Sequence, residues 1–258
     1  MKLTTQRVTE LAERLLADYD AVRPGDAFAG DLRIELADAW QLQNAVAELR
    51  AARGEEVIGY KVGAVAPGNQ KMLGLPQPVW GRLWHSEQYD SGAVLTRSNY
   101  ANLAVEAEFA ILLADDVLPG MSVEAIASCV DCIYPTLELH NLALQSKQPH
   151  GAELVATNCI NCGVVKGIAI ANPGESIETD LQLVFDGIAI DAWHRLRWPD
   201  DILAAVSWLA TALQEQGLPL TRGSFVLTSA WGPPVPVAQH KTIEVTSSFF
   251  GNVSAEIN

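Results

Sequence analysis

The chain has 258 residues, 49% of them hydrophobic, and its 17 Lys and Arg stand against 31 Asp and Glu for a net charge of −14. That length and apolar content suffice for one substantial core and exclude a disordered chain. The negative field repels nucleic acid and anionic membrane, so an acidic small-molecule ligand needs a local positive centre. The Met1-Lys2-Leu3-Thr4-Thr5-Gln6 start has no apolar leader, and nothing approaches the roughly 20 apolar residues of a membrane span; a soluble, cytoplasmic protein is expected.

Thr4 to Val22 is predicted as an amphipathic helix with Val8, Leu11, Leu15, Tyr19 and Val22 on one stripe, stopped by Pro24-Gly25. A polar turn around Gly30-Asp31 leads to a second helix, about Leu36 to Arg53, with Gly54 in the C-cap position. These helices form an N-terminal cap (1–55) on a β-rich core (56–258), and no repeat or linker marks a second independent domain. Val57 to Ala64 reads as the first strand, with Gly59, Lys61 and Gly63 on one face, so the lysine stands between two residues without side chains. It is either the positive centre that the acidic chain needs or a solvated lysine on an edge strand. Gly68 to Leu73 follows as a short helical turn, and Leu75 to Trp84 as a proline-punctuated loop or extended segment.

The run Leu103 to Leu113 reads as a buried strand, with Val105, Ala107, Phe109 and Ile111 on one face and Glu106 and Glu108 together on the other, roughly 7 Å apart at Cα. Two like charges in an apolar setting call for a proton, a base or a hard divalent cation, unless that face is simply wet. Ser122 to Ser128 is a brief helix, and Asp131 to His140 is extended, with Glu138 as a further carboxylate in a mostly apolar strand. Such a third oxygen donor would complete a metal-binding set with positions left for water and substrate. His140 shares the strand face of Glu138, as an acid/base near neutrality or as a hydrogen-bonded structural histidine. Cys129-x-x-Cys132 and Cys159-x-x-Cys162 have the ingredients of a zinc site, although free, partly buried thiols of a reducing compartment are the expected state.

Pro149 to Thr157 is expected to be helical, and strands are expected near Gly163 to Ile170 and Leu181 to Ile190. Pro199-Asp200-Asp201 is read as the start of a helix carrying Ile202, Val206, Leu209 and Leu213 and closed by Gly217. Ser224 to Thr228 and Thr242 to Ser254 return to strand, which suggests an α+β sheet closing on itself rather than a doubly wound one.

Taken together, Gly59-Tyr60-Lys61-Val62-Gly63, Pro78-Val79-Trp80-Gly81-Arg82-Leu83, Val105-Glu106-Ala107-Glu108-Phe109-Ala110 and the later Glu138 resemble the 2-keto-4-pentenoate hydratase and 4-oxalocrotonate decarboxylase group of the fumarylacetoacetate hydrolase superfamily. The resemblance runs from the second helix to the terminal Ser248 to Ser254 segment. It implies a mixed, largely antiparallel β-sheet roll or barrel beneath the helical cap, and a homo-oligomer. It further implies Mg²⁺ or Mn²⁺ held by Glu106, Glu108 and Glu138, a small 2-oxo acid chelating the ion, and Lys61 pairing with the substrate's charge or relaying a proton. Leu83, Asn158 and Ser229 fall at its substrate-facing positions. The reaction implied is hydration of a 2-hydroxy-2,4-dienoate or 2-oxo-enoic acid, with decarboxylation or C–C hydrolysis as alternatives on the same site, or a non-catalytic binding homologue. The sequence departs from the group at Val79, where an acid is common, at Leu139-His140-Asn141-Leu142 in place of an Asp-Ser-Arg-like run, at Thr157-Asn158-Cys159-Ile160-Asn161-Cys162, and at Ser229-Ala230. His140 is then the candidate to replace the missing acid/base.

Overall fold

The structure is a computed structural model that describes residues 2–30 and 32–258, so Asp31 of the expected Gly30-Asp31 turn lies outside the described residues. Its helices are α1 (Thr5–Asp20), α2 (Leu36–Ala52), α3 (Pro67–Leu73), α4 (Val123–Ser128), α5 (Gly151–Ala156) and α6 (Val206–Glu215). Thr4 begins α1 because its hydroxyl accepts the Arg7 N–H, and the Val8, Leu11 and Leu15 stripe is buried as the pattern requires. α1 and α2 pack with α5, Val79, Cys159 and Ile160 into one apolar cluster. The Gln43 amide ties this cap to the core by donating to Trp80 O (3.1 Å) and Val155 O (2.9 Å).

The strands are β1 (Val57–Gly63), β2 (Val79–Trp84), β3 (Gln88–Asp90), β4 (Ala93–Leu95), β5 (Leu103–Leu113), β6 (Val130–Asn141), β7 (Asn161–Lys166), β8 (Ile170–Ala171), β9 (Ile177–Phe185), β10 (Ile188–Trp198), β11 (Phe225–Leu227), β12 (Val235–Pro236), β13 (Thr242–Ser247) and β14 (Gly251–Ile257). One curled sheet runs β2-β1-β11-β5-β6-β7-β3, with β12 added to β5 and β8 to β6; the other runs β10-β9-β13-β14-β4. Most pairs are antiparallel and three (β1 with β11, β3 with β7, β14 with β4) are parallel, giving the mixed, largely antiparallel α+β fold that the sequence implied. Val105, Ala107, Phe109 and Ile111 of β5 pack in the main core with Leu183, Phe185, Val245 and Val253 of the second sheet. The opposite face of β5, carrying Glu106 and Glu108, is thereby left to build the site.

Several expected boundaries move. The single strand read over Leu181 to Ile190 is a hairpin, in which Asp186 (φ +49°) and Gly187 (φ +78°) join β9 to β10. Asp-Gly between two strands is a strong hairpin signal, since both turn residues need positive φ. Thr242 to Ser254 is likewise two strands, β13 and β14, paired antiparallel. The helix placed at Pro199 begins at Val206 instead; the segment before it makes only separate turns, such as Leu203 N–H to Pro199 O, while the Asp201 carboxylate accepts the Arg197 backbone N–H (2.9 Å). Within Leu75 to Trp84, Val79 to Trp84 forms a fully buried strand. Lys61 is on no edge, since β1 lies between β2 and β11.

Gly59 is fixed by close approach: a Cβ there would sit 1.7 Å from Phe225 O, its partner across the parallel β1–β11 pair. Backbone cannot retreat as a flexible side chain can, so Gly59→Ala is expected to cost about 3 kcal/mol or more of stability, read as a lowered urea midpoint. A variant as stable as the parent would contradict this pairing.

Candidate metal centre

Antiparallel pairing of β5 with β6 sets Glu106 directly opposite Glu138 and Ala104 opposite His140, so all of these side chains share one face. Directly opposed Cβ atoms are about 5 Å apart, within reach for two carboxylates to converge. Lys61 enters from β1, and its Nζ lies 3.1 Å from Glu138 Oε1. His140 Nε2 lies 3.0 Å from Glu106 Oε2 and 3.5 Å from Glu138 Oε2. The Glu108 carboxylate accepts the Ser229 N–H at 3.3 Å. Lys61, Glu108, Glu138 and His140 are all buried, and the Glu106 side chain, 13% exposed, is the one that reaches toward solvent.

These groups set one another's charge. Burial pushes the Glu108 carboxyl well above the usual carboxylate range, and the neighbouring Glu138 and Glu106 charges push it further. Burial opposes ionisation of Glu138 too, yet the Lys61 and His140 charges and the Asn161 hydrogen bond outweigh it and hold Glu138 below its ordinary value. The two shifts run in opposite directions, Glu108 toward the neutral form and Glu138 toward the charged one. Lys61 would be lowered by burial, but Glu138, Glu106 and Glu108 hold it above an ordinary lysine, so it stays charged.

Glu138 Oε2 is buried with no hydrogen-bond partner. An anionic oxygen so placed has lost its water without replacement, which is the condition a bound cation relieves. Among the described residues, Glu106, Glu138 and His140 form a group whose ligand atoms all lie within 4.8 Å of one another. The donor set thus fits a divalent cation, with Glu108 beside it rather than within that group.

Asn161 was not singled out from the sequence. Its Nδ2 donates to Glu138 Oε1 at 2.8 Å, fixing the carboxylate that also meets Lys61. An asparagine inside a CxxC spacing carries no distinctive sequence signal; only its pairing geometry on β7 reveals it. Asn161→Leu is expected to weaken cation binding about tenfold or more, measured by calorimetry, because groups that orient a metal-binding carboxylate are commonly worth that much.

Leu83 shares the face of Lys61, since it pairs with Gly59 across β1 and β2, and it packs with Ala110, Val164, Phe225 and Leu227. Asn158 is committed elsewhere: its Oδ1 accepts the Arg82 N–H (2.7 Å) and its Nδ2 donates to Arg82 O (2.9 Å), which locks β2 in place. Ser229 (φ +101°) turns its N–H onto Glu108 and lines a groove with Val65, Pro78, Trp208 and Trp231. The four cysteines are free and buried, with Cys129 donating to Ala125 O, Cys132 beside the Tyr134 hydroxyl and Cys159 donating to Trp80 O.

No family model matches the chain. At the level of single proteins, it is 29% identical over 223 residues to a 2-keto-4-pentenoate hydratase of Burkholderia vietnamiensis, covering 84% of each chain. It is 26% identical over 222 residues to a 4-oxalocrotonate decarboxylase of Pseudomonas putida, covering 85% of this chain and 84% of that one. The chain is thus similar, over most of its length, to 2-keto-4-pentenoate hydratases and 4-oxalocrotonate decarboxylases. The fold agrees: the solved 4-oxalocrotonate decarboxylase of Pseudomonas putida G7, complexed with magnesium and adipate, superposes with a TM-score of 0.89 at 22% identity over 100% of this chain and 99% of that one. Val79, one of the positions at which the sequence departs from the resemblance, is buried in the apolar cluster under the cap.

Among the described residues, no helix is long and apolar enough to cross a membrane.

Proposed function

We propose that the chain is a divalent-metal-dependent hydro-lyase that adds water to a 2-hydroxy-2,4-dienoate or the related 2-oxo-enoic acid in aromatic-compound breakdown. The observation that carries this reading is the buried Glu138 carboxylate, opposed to Glu106 across β5 and β6, paired with Lys61 at 3.1 Å and holding an oxygen without a partner. Glu106 and Glu138, with Glu108 beside them, would hold Mg²⁺ or Mn²⁺. When bound, such an ion supplies a Lewis acid that draws negative charge onto the substrate's 2-oxygen.

The chain's own groups do the rest. Lys61 is a fixed positive charge in an acidic protein and attracts the substrate carboxylate. Its Nζ, 3.1 Å from Glu138, would also be placed to relay a proton to or from the substrate. Asn161 keeps Glu138 in place, and the buried walls of Leu83, Ala110 and Val164 keep bulk water from that end of the site.

Decarboxylation on the same residues is the second reading, favoured by the likeness to the decarboxylase of Pseudomonas putida. Incubation of the Mg²⁺- or Mn²⁺-loaded protein with 2-hydroxydienoates, oxalocrotonate and acylpyruvates, following loss of the conjugated chromophore, separates the reactions by product. A hydrated 2-oxo acid is expected. Release of CO₂ or of two acids would reassign the reaction, and an unchanged chromophore across the panel would leave a non-catalytic binding protein.

The protein is further proposed to be cytoplasmic and to form a homo-oligomer. Ile188 (67% exposed) and Ile190 (40% exposed) on the edge strand β10 support self-association.

A further inference from the structure

We infer that His140 is itself a metal donor in this chain, which makes the centre a mixed nitrogen and oxygen site and moves its preference from Mg²⁺ toward Mn²⁺ and Co²⁺. The inference rests on reading the Glu106 and Glu138 face as a divalent-cation site, and it adds a ligand that the carboxylates alone do not supply.

Three observations point to the imidazole. Its Nε2, the Glu106 oxygen and the Glu138 oxygen all fall within 4.8 Å of one another. Nε2 lies 3.0 Å from Glu106 Oε2, close to the edge of an octahedron (about 3 Å when metal–donor bonds are near 2.1 Å), and 3.5 Å from Glu138 Oε2, a gap that a shared ion would have to draw in by about half an ångström. Glu138 Oε2, buried and without a hydrogen-bond partner, faces the same ring nitrogen, so one cation between the three donors would satisfy it.

The surroundings of the ring also argue against a proton shuttle. A general base is ordinarily oriented through its second nitrogen by another group, and His140 Nδ1 is buried with no hydrogen-bond partner. The ring is held instead by its place on β6, by complete burial and by the hydrogen bond between Nε2 and Glu106 Oε2. A nitrogen committed to a metal ion cannot also act as a base, so the acid/base role expected of His140 from the sequence passes to Lys61. Because Nδ1 lacks the outer acceptor that strengthens most ligating histidines, the added affinity is modest.

Imidazole suits first-row transition cations, whereas Mg²⁺ prefers oxygen donors. Removing the ring should therefore weaken Mn²⁺ and Co²⁺ binding about tenfold and Mg²⁺ binding about threefold or less.

The test uses the full chain, stripped with a chelator and reloaded with Mn²⁺. Pulsed electron paramagnetic resonance is expected to show ¹⁴N modulation from a directly bound imidazole, changing to the ¹⁵N pattern after labelling with ¹⁵N-histidine. Calorimetric titration of the parent, His140→Leu and His140→Gln with Mn²⁺ and with Mg²⁺ should show the selective loss. The spectroscopy needs no variant, so a substitution that fails to fold leaves it decisive. Mn²⁺ bound without histidine nitrogen coupling, or an Mn²⁺ to Mg²⁺ ratio unchanged in the variants, overturns the imidazole ligand while the carboxylate site stands. No binding of either ion to the parent overturns the cation site itself and the ligand with it.

Discussion

Glu138→Gln is expected to remove measurable binding of Mg²⁺ and Mn²⁺ and to lower turnover by about 10³-fold or more, the scale of losing a charge-stabilising group at a reacting centre. The substitution keeps the volume and one carbonyl oxygen but removes the negative charge. That charge is what Lys61 at 3.1 Å, the Asn161 amide at 2.8 Å and His140 at 3.5 Å are arranged around. Neither neighbour is placed alike: burial pushes the Glu108 carboxyl upward, and Glu106, on the facing strand, is the group nearest solvent. Calorimetry for binding and the chromophore assay for turnover read the two effects separately. A Glu138→Gln protein that still binds Mn²⁺ with parental affinity would show that the ion sits elsewhere.

Lys61→Met is expected to destabilise the metal-free protein by about 3–5 kcal/mol, the usual cost of leaving one partner of a buried ion pair without the other. Both partners are buried and Lys61 is the cation closest to Glu138, so neither water nor salt can compensate. Saturating Mn²⁺ should restore part of that stability, because a ligand that binds the folded state alone adds to it and here also replaces the missing positive charge. Turnover should not return with it, since the metal ion substitutes for the charge of Lys61 but not for its proton. Urea unfolding with and without Mn²⁺ measures this directly. Parental stability of the variant in chelator would mean that Glu138 is not charged in the fold.

The same charge logic separates what could be read from the chain. Alternation in Leu103 to Leu113 placed Glu106 and Glu108 on one face and Val105, Ala107, Phe109 and Ile111 on the other, and both faces are as expected. The α1 stripe and the Gly54 end of α2 were equally plain, because capping and helical periodicity depend on residues within a turn or two. The β9–β10 hairpin was also written locally, in Asp186-Gly187, but the apolar run across it reads as one continuous strand. The start of α6 was not legible, since Asp201 serves either as a helix-start signal or as a partner for Arg197, and only its surroundings choose.

By itself, the order of residues determined which side chains share a strand face and that three glutamates and one lysine occupy apolar strands. It did not determine that Glu138 meets Glu106 rather than Glu108, that Asn161 holds it, or that Lys61 is enclosed by β2 and β11. Those follow from register and strand order, which the tertiary structure alone decides. Side-chain alternation is set residue by residue along the backbone, whereas register is set by the packing of whole faces far apart in the chain, and a slip of one residue would turn Glu138 into the core.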